Sequence, residues 1–584
     1  MSGSMKFVLT AMAALGVSAT LSAAEPQIPV ACSNSMASAV LEACVNKVFE
    51  EEWAWRAREF GGSETDANDG ELAGHLPTVN RDSQLARRAY WERILKRLSD
   101  IDPTRLPTDS RDDLEIFRFV VQTYLDSIGY GEYEIPFNSD TAFWTSLAPR
   151  GGFNSTTEYE RYIGRIKDIP RYFDEQIANM RAGMARGFVA PRSALIGRDK
   201  AFAPYLAREV EANPLFSPFQ SLPATMPQEE RSRLTSLAKV AITRDAVPAY
   251  EKLRKFLYSD YIQAARTNPS VASLPEGPQF YRNQILRYTT LELDPATVHE
   301  LGLAEVARIE AEMRVDMDKT GFKGTLPEFI AKLRADPRFY ATSPEQLLTK
   351  AAWITKRVDG RLGDFIGKLP RHRFTIVPVP PEIAPFYTGG RGGLDACLFN
   401  TYALSSRPLY SLPSLAIHEC NPGHSFQMAA ALEIEGRPEF RRHVYFSGYS
   451  EGWALYAERL GVEMGIYETP YEDFGRLNYE IWRAARLVVD TGIHAKGWSR
   501  AQAIEYLRAH TALAEHEIVT EVDRYISWPG QALSYKIGEL AIVRLRRDAE
   551  KRLGEKFDIR RFHDVLLGLG SVPLPVLERR LSNY

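Results

Sequence analysis

The chain of 584 residues has no large excess of charge: 72 basic and 75 acidic side chains give a formal net charge of −3. Proteins that bind nucleic acid or an anionic membrane surface usually carry a basic patch or stripe, and this sequence has neither. Internal repeats and low-complexity tracts are also lacking. Charged residues make up 25% of the chain, an ordinary globular value. We therefore expect a globular protein with small or peptidic partners and no nucleic acid.

Long apolar runs are lacking too, except at the N-terminus. Lys6 precedes an apolar run from Phe7 to Leu21, which ends in Ser22-Ala23-Ala24. This pattern is typical of a secretory signal peptide cleaved near Ala24, and the run is short for a membrane anchor. Val30-Ala31-Cys32 resembles a lipoprotein processing box only faintly, because Glu25 and two prolines separate it from the run. We expect residues 1–24 to be a signal peptide, export to the periplasm, and no integral membrane segment after signal removal.

Cysteine is scarce, with four in the chain: Cys32, Cys44, Cys397 and Cys420. Four thiols in this length do not make a disulfide scaffold, but an exported protein is free to form disulfides. The expected pairs are Cys32 with Cys44 and Cys397 with Cys420, although either pair is equally compatible with reduced, buried thiols.

Strand patterns are few, whereas apolar residues at helical spacing recur, for example in residues 298–313 and 562–569. The best strand candidates, residues 374–379 and 394–400, flank a stretch rich in proline and glycine. The second of these could pair with an extended peptide. The sequence predicts a mostly α-helical protein with an N-terminal helical lobe at 25–370 and a second lobe at 371–584. The two lobes are expected to form one compact unit with a small β-sheet.

The segment from His418 to His424 contains the residue types of a hydrolytic zinc site. Such a site needs three protein ligands, one open position for water and a carboxylate base, here Glu419. The common motif places two histidines four residues apart on a helix, but here the spacing is six, or roughly 240° on an ideal helix. Pro422 cannot donate to the His418 carbonyl, and Gly423 tolerates unusual backbone angles. The sequence therefore predicts a helix interrupted at 421–423 that returns His424 to the face of His418.

The third ligand is expected to be a carboxylate from another helix. Glu451 and Glu458 are seven residues apart and thus share one helical face, so that one can bind metal while the other orients a histidine. We favour Glu451 because it begins the helix and lies closer in sequence to His424, and Glu458 stays the alternative. From spacing alone, ordinary surface or salt-bridged residues explain the pattern equally well.

Two motifs of this sequence resemble those of the bacterial "domain of unknown function 885" proteins. They are His-Glu-x-x-Pro-Gly-His-x-x-Gln from His418 to Gln427 and the segment from Glu451 to Glu458. Those are predicted zinc metallopeptidases of the gluzincin kind. The resemblance continues through residues 281–290, 486–494 and 529–538. It implies a mostly α-helical, metallopeptidase-like fold whose second lobe binds Zn²⁺ beside the small sheet, with His418, His424 and Glu451 as ligands and Glu419 as general base.

Two further residues are candidates for catalysis. Tyr535 resembles the tyrosine that helical gluzincins bring from a C-terminal segment to stabilise an oxyanion, and a core tyrosine is an equally good interpretation. Arg486, Asp490 and His494 are four residues apart and share one helix face. They are expected to form a buried ion ladder or to reach the substrate, with His494 the best candidate for a catalytic role.

The resulting hypothesis is a zinc-dependent metallopeptidase that acts on a peptide or small amide. A zinc hydrolase of non-peptide amides or esters is an alternative, because the same metal ligands do not determine the substrate. So is a non-catalytic peptide-binding relative. A weaker alternative is a cysteine hydrolase that uses Cys420 with a nearby histidine. The oligomeric state is not predicted.

Overall fold

The computed structural model describes residues 32–60, 73–149, 152–381 and 383–584. The predicted signal peptide, residues 1–24, lies outside the described residues. The prediction of a mostly α-helical fold is confirmed, since the strands of the described chain form only one three-stranded sheet. None of the described helices is both long and apolar enough to span a bilayer.

The regular elements of the described chain before residue 374 are helices. Its helices are α1 (Ser38–Glu59), α2 (Arg81–Ser99), α3 (Thr108–Tyr130), α4 (Thr156–Arg186), α5 (Gln228–Ala241), α6 (Val247–Lys255), α7 (Ile262–Ala264), α8 (Gly277–Thr289), α9 (Pro295–Lys319), α10 (Leu326–Ala335), α11 (Pro344–Asp359) and α12 (Leu362–Phe365). Serine and threonine side chains begin several of them; Ser155 and Thr325 form complete capping boxes at α4 and α10. Helices α5, α6 and α7 are separated only by π-helical turns.

A small sheet follows, made of β1 (Thr375–Pro378), β2 (Gly390–Arg391) and β3 (Ala396–Phe399) in the order β1-β3-β2. Strand β3 runs parallel to β1 and antiparallel to β2. Both predicted strands are therefore present. The expectation that residues 394–400 pair with a peptide is wrong, because both edges of β3 are already paired, and the two edge strands of the sheet are β1 and β2.

The remaining helices follow the sheet in the chain and include those that carry the predicted metal ligands. They are α13 (Leu412–Glu419), α14 (His424–Leu432), α15 (Phe440–His443), α16 (Ser447–Glu463), α17 (Pro470–Lys496), α18 (Arg500–His510), α19 (Glu515–Ser527), α20 (Ser534–Leu553), α21 (Ile559–Gly568) and α22 (Leu574–Ser582). Every residue of α17 from 474 to 494 is buried. Helix α17 packs along α9, and α16 packs against α13 and α20.

Glycines allow α16 and α20 to cross closely. A Cβ atom on Gly538 of α20 would lie 1.8 Å from the carbonyl oxygen of Gly448, and one on Gly452 would lie 2.5 Å from the backbone of Gly538. Any side chain at these positions would push the two helices apart. The crossing therefore fixes the position of the residue before Gly452, which is Glu451.

Two apolar clusters form the core of the described residues. One is confined to the region between Leu76 and Tyr261. The larger one joins α1–α3 to the C-terminal helices. For example, the rings of Phe49 and Phe117 lie 5.1 and 5.3 Å from that of Phe440 in α15. The helices around the predicted metal ligands thus share their core with the N-terminal helices.

Two disulfides are present, and both predicted pairings are confirmed. Cys32–Cys44 ties the segment before α1 to that helix, and Cys397–Cys420 ties β3 to the end of α13. Disulfides form and persist in oxidising compartments, so both bonds are consistent with an exported protein.

Candidate metal centre

The chain breaks between α13 and α14, where the sequence predicts an interruption. Helix α13 ends at Glu419, and α14 begins at His424. Between them the Asn421–Pro422 peptide is cis, and the amide of Gly423 donates to the carbonyl of Ile417 over 3.0 Å. The indole of Trp453 on α16 donates to the carbonyl of Pro422 over 2.7 Å. Hydrogen bonds to both α13 and α16 therefore stabilise the break, and the break brings His424 back towards His418.

Because of this break, His418, His424 and Glu451 converge. One ligand atom from each lies within 4.8 Å of the other two. The Oε2 atom of Glu451 is 3.5 Å from Nε2 of His418 and 3.2 Å from Nε2 of His424. The imidazole rings of the two histidines lie 4.9 Å apart and nearly perpendicular to each other. We call these three residues the donor cluster.

Glu458 contacts the other side of His418. Its Oε1 atom lies 2.8 Å from Nδ1 of His418, and both side chains are almost fully buried. A carboxylate that accepts from Nδ1–H leaves Nε2 free to bind a metal ion, an arrangement common in zinc sites. Of the two candidate carboxylates, Glu451 therefore faces both histidine Nε2 atoms, and Glu458 orients one ring.

The carboxylates also perturb protonation within the cluster. Burial lowers the pKa of His418, but hydrogen bonds to Glu451 and Glu458 outweigh it and raise the pKa to about 9. Burial raises the pKa of Glu451, but the charges and hydrogen bonds of His424 and His418 outweigh it and hold the pKa well below its ordinary value. The cluster thus favours positive charge at its centre, which either a proton or a metal cation supplies.

Glu419, the predicted general base, follows His418 directly and is partly exposed. Its Oε2 atom accepts the amide of Gly392 over 2.5 Å. Below it, the Ser425 hydroxyl donates to the Glu419 carbonyl over 3.1 Å and accepts the amide of Gly393 over 3.2 Å. These contacts hold the end of α13 against the segment after β2 and fix the position of the carboxylate.

The alternative of a cysteine nucleophile at Cys420 is wrong. Cys420 is fully buried and bonded to Cys397. Its sulfur atom is therefore no thiolate, and its structural effect is to tie the end of α13 to β3.

Tyr535 lies beside the cluster, as the resemblance implies. Its ring stacks on that of His418, with centroids 6.3 Å apart and planes 12° from parallel. Its hydroxyl accepts from Arg524 over 3.2 Å, and the guanidinium of Arg486 lies 4.2 Å from its ring centre. Tyr535 is only 6% exposed, so it is held firmly at the inner wall of the site.

His494 does not contact the cluster, although the sequence makes it a catalytic candidate. Its Nδ1 atom accepts the amide of Val271, and its Nε2 atom donates to the carbonyl of Tyr525 over 2.9 Å. Burial lowers the pKa of His494 to about 3, so the ring is neutral. Both nitrogens are engaged by backbone, and this gives the ring a structural role.

The expected ladder of Arg486, Asp490 and His494 is also absent, since each bonds to another element. Arg486 donates to Glu521, and Asp490 accepts from the hydroxyl of Tyr281 over 2.6 Å. The equal spacing along α17 places these side chains on one face of the helix, but each of them forms its hydrogen bonds with a residue of a neighbouring element.

Two residues of the site are not evident from the sequence. The hydroxyl of Tyr445 donates to Oε1 of Glu451 over 3.2 Å, while 61% of the residue is exposed. Burial of the hydroxyl and the charge of Glu451 raise the pKa of Tyr445 well above its ordinary value, so it keeps its proton. Arg391 on β2 has Glu419 and Tyr445 among its electrostatic neighbours. Tyr445 precedes the glutamate motif by six residues, which is the only signal that could have indicated it.

Two solved structures, each of a "putative lipoprotein", resemble this one. The protein from Colwellia psychrerythraea is 28% identical, with a TM-score of 0.84, over 94% of this chain and 99% of its own. The protein from Shewanella oneidensis is 15% identical, with a TM-score of 0.66, over 92% of this chain and 99% of its own, and shows a similar fold. No curated protein matches the chain.

One family model, described as "Bacterial protein of unknown function (DUF885)", matches residues 59–581. This range includes the donor cluster, Glu419, Tyr445 and Tyr535. Because the match spans most of the chain, the protein belongs to the bacterial DUF885 family.

Proposed function

We propose that the protein is a zinc-dependent metallopeptidase. The observation that carries the proposal is the spacing of the donor cluster. A tetrahedral zinc ion with bonds of about 2.0–2.1 Å has ligand atoms about 3.3 Å apart. The two histidine nitrogens lie 3.5 and 3.2 Å from the same Glu451 oxygen. Two histidines and one carboxylate are also a common ligand set of catalytic zinc, which keeps a fourth position open.

Each residue around the cluster has a chemical task in this proposal. A bound zinc ion would polarise the scissile carbonyl and acidify its water. Glu419 removes the proton from the attacking water and delivers it to the leaving amine. Tyr535 and Tyr445 present phenol groups next to the cluster, and either can donate a hydrogen bond to the developing oxyanion. Glu458 keeps Nδ1 of His418 protonated so that Nε2 is available.

A peptide substrate fits the surroundings of Glu419. Strand β2 is one of the two edge strands of the sheet, and the amide of Gly392 just after it contacts the Glu419 carboxylate. An extended peptide added to such a strand would pass the general base. The alternatives are a zinc hydrolase of non-peptide amides or esters and a non-catalytic binding relative. The presence of Glu419 favours an enzyme over the latter, because a purely structural zinc site needs no base.

Export to the periplasm is part of the proposal. The two disulfides support an oxidising compartment. Attachment of a lipid to Cys32 would require a free thiol, and Cys32 is bonded to Cys44. We therefore favour a soluble exported protein over a lipoprotein.

Replacing Glu419 by glutamine tests the proposal. The zinc-loaded variant should lose turnover of a mixed peptide library at least a hundredfold and retain its zinc, because the amide cannot take a proton. Exposed Glu435 on the loop after α14 provides the matched control, and Glu435→Gln should keep full activity. Unchanged turnover in Glu419→Gln would overturn the mechanism. Turnover of ester or non-peptide amide panels, without peptide cleavage, would favour the alternative hydrolase.

A further inference from the structure

A cavity of about 270 Å³ lies one helical turn from the proposed general base. The donor cluster does not line it, but Leu412 and Leu415 of α13 do. Leu415 and Glu419 are four residues apart, so they lie on the same face of that helix. We call this cavity the side pocket. It therefore shares a wall with the site and is not a remote cavity.

The segment that contains β2 connects the side pocket to Glu419. Gly389 lines the pocket, and a Cβ atom there would lie 3.5 Å from Leu415 and 3.6 Å from the hydroxyl of Tyr479. At the next residue, Gly390, a Cβ atom would lie 3.6 Å from Cγ of Glu419. Because Gly389 and Gly390 are adjacent, one residue of an extended substrate chain would span the distance between the pocket and Glu419. A substrate whose scissile bond is at Glu419 therefore has a neighbouring side chain within reach of the pocket.

The walls of the side pocket are mainly apolar. They include Leu347, Phe399, Leu412, Leu415 and Leu513. A cavity of roughly 150 Å³ lined by such side chains accommodates a benzene ring, so 270 Å³ accommodates an aromatic side chain. Burial of such a ring would release a large apolar surface from water.

Polar atoms without partners are buried in the same walls. The hydroxyls of Tyr410 and Ser411 have no hydrogen-bond partner within the described protein, although these residues are only 2% and 3% exposed. The Nε atom of Arg407 also lacks one. Charged neighbours of the Tyr410 hydroxyl, Arg334 and Glu517, line the pocket too. Buried polar groups without partners are costly, so these atoms favour a ligand that brings a polar group to them.

We propose that the side pocket is the specificity pocket of the hydrolase and binds a tyrosine side chain next to the scissile bond. A phenol combines the required ring with a group that both accepts and donates a hydrogen bond. Its oxygen accepts from Tyr410, Ser411 or Arg407, and its proton is donated to the carboxylate of Glu517. This proposal rests on the proposed peptidase function and adds its substrate class.

The test compares kcat/KM for peptides that differ only in having Tyr, Phe or Ala next to the cleaved bond. Wild type should prefer Tyr to Ala by tenfold or more, since burial of a ring accounts for at least that factor. It should also prefer Tyr to Phe, because Phe leaves the polar atoms unpaired. Added p-cresol should inhibit by competition.

Two variants locate the preference in the pocket. Ser405 is exposed at the pocket, so Ser405→Trp should block the entrance without disturbing the core. It should bring the Tyr and Ala substrates to within about twofold and abolish inhibition by p-cresol. Ser411→Ala should reduce only the preference of Tyr over Phe. Exposed Ser236 on α5 gives the control, and Ser236→Trp should behave as wild type.

The outcomes separate the two proposals. Cleavage at equal rates, or a Tyr preference that persists in a folded Ser405→Trp variant, would overturn the side pocket proposal and leave the peptidase standing. Failure of the zinc-loaded wild type to cleave any peptide would overturn the proposed function and this proposal with it.

Discussion

The proposed zinc binding should depend steeply on pH because of His418. In the metal-free protein the pKa of His418 is raised to about 9 by Glu451 and Glu458, against the opposing effect of burial. Below pH 9 this ring therefore carries a proton on each nitrogen. Zinc needs the lone pair on Nε2, whereas Nδ1 keeps its proton and donates to Glu458. Each zinc ion that binds must displace one proton from His418.

The size of the effect follows from the pKa. Each pH unit below the pKa costs about 1.36 kcal/mol, or a factor of ten in affinity. Raising the pH from 6 to 8 should therefore tighten zinc binding by about 100-fold, whereas one imidazole of ordinary pKa near 6.5 would give only about fourfold. At pH 7, His418 alone should release about one proton per zinc bound.

Competition with a chelator at both pH values measures the affinity, and calorimetry in buffers of different ionisation enthalpy counts the protons. Glu458→Gln removes one of the two charges that stabilise the imidazolium, so its pH dependence should be shallower. An affinity change below tenfold in wild type, or release of less than half a proton at pH 7, would show that zinc does not displace a proton from His418.

Three further predictions concern the frame of the site. In Gly423→Ala the new Cβ atom would lie 1.9 Å from the carbonyl oxygen of His418, so the break should distort and zinc affinity should fall at least tenfold by chelator competition. Burial lowers the pKa of His494 to about 3 in the folded protein. Below pH 6.5 the unfolded chain therefore binds a proton at this residue that the folded protein does not bind. The free energy of unfolding consequently falls as the pH falls from 6.5. His494→Gln should remove about 2 kcal/mol of that loss between pH 7 and 5 in urea unfolding and should retain the proposed peptidase activity; unchanged acid sensitivity would contradict this. Replacing Cys397 and Cys420 by alanine opens a loop with a sequence separation of 23 and should cost about 3 kcal/mol of unfolding free energy, measured against the wild type in denaturant.

The sequence predicts those features that depend on local chemistry. Pro422 and Gly423 predict the helix break, because proline removes one amide hydrogen and glycine permits the close approach to the His418 carbonyl. On an uninterrupted helix the six-residue spacing would turn His424 away from His418, so the predicted break is also what brings the two rings together. The strands on either side of residues 378–393 and the mostly helical fold also follow from local pattern.

Features that depend on partners distant in sequence could not be predicted. Spacing aligns His494 with Arg486, but only the packed structure shows that backbone groups of Val271 and Tyr525 occupy both of its ring nitrogens. The choice between Glu451 and Glu458 depends on which face of His418 each one meets, and their spacing of seven residues makes them equivalent in sequence. Tyr445 lies outside any helix motif, and only its contact with Glu451 indicates a role.

The proposed function depends on a zinc ion held by His418, His424 and Glu451. The zinc content of the purified protein, measured by mass spectrometry in wild type and in Glu451→Ala, tests it most directly. Wild type should hold close to one zinc per chain and the variant less than a tenth of that, with the fold of both verified by circular dichroism. A wild type that takes up no zinc when the metal is supplied, or a variant that retains the full amount, would contradict it.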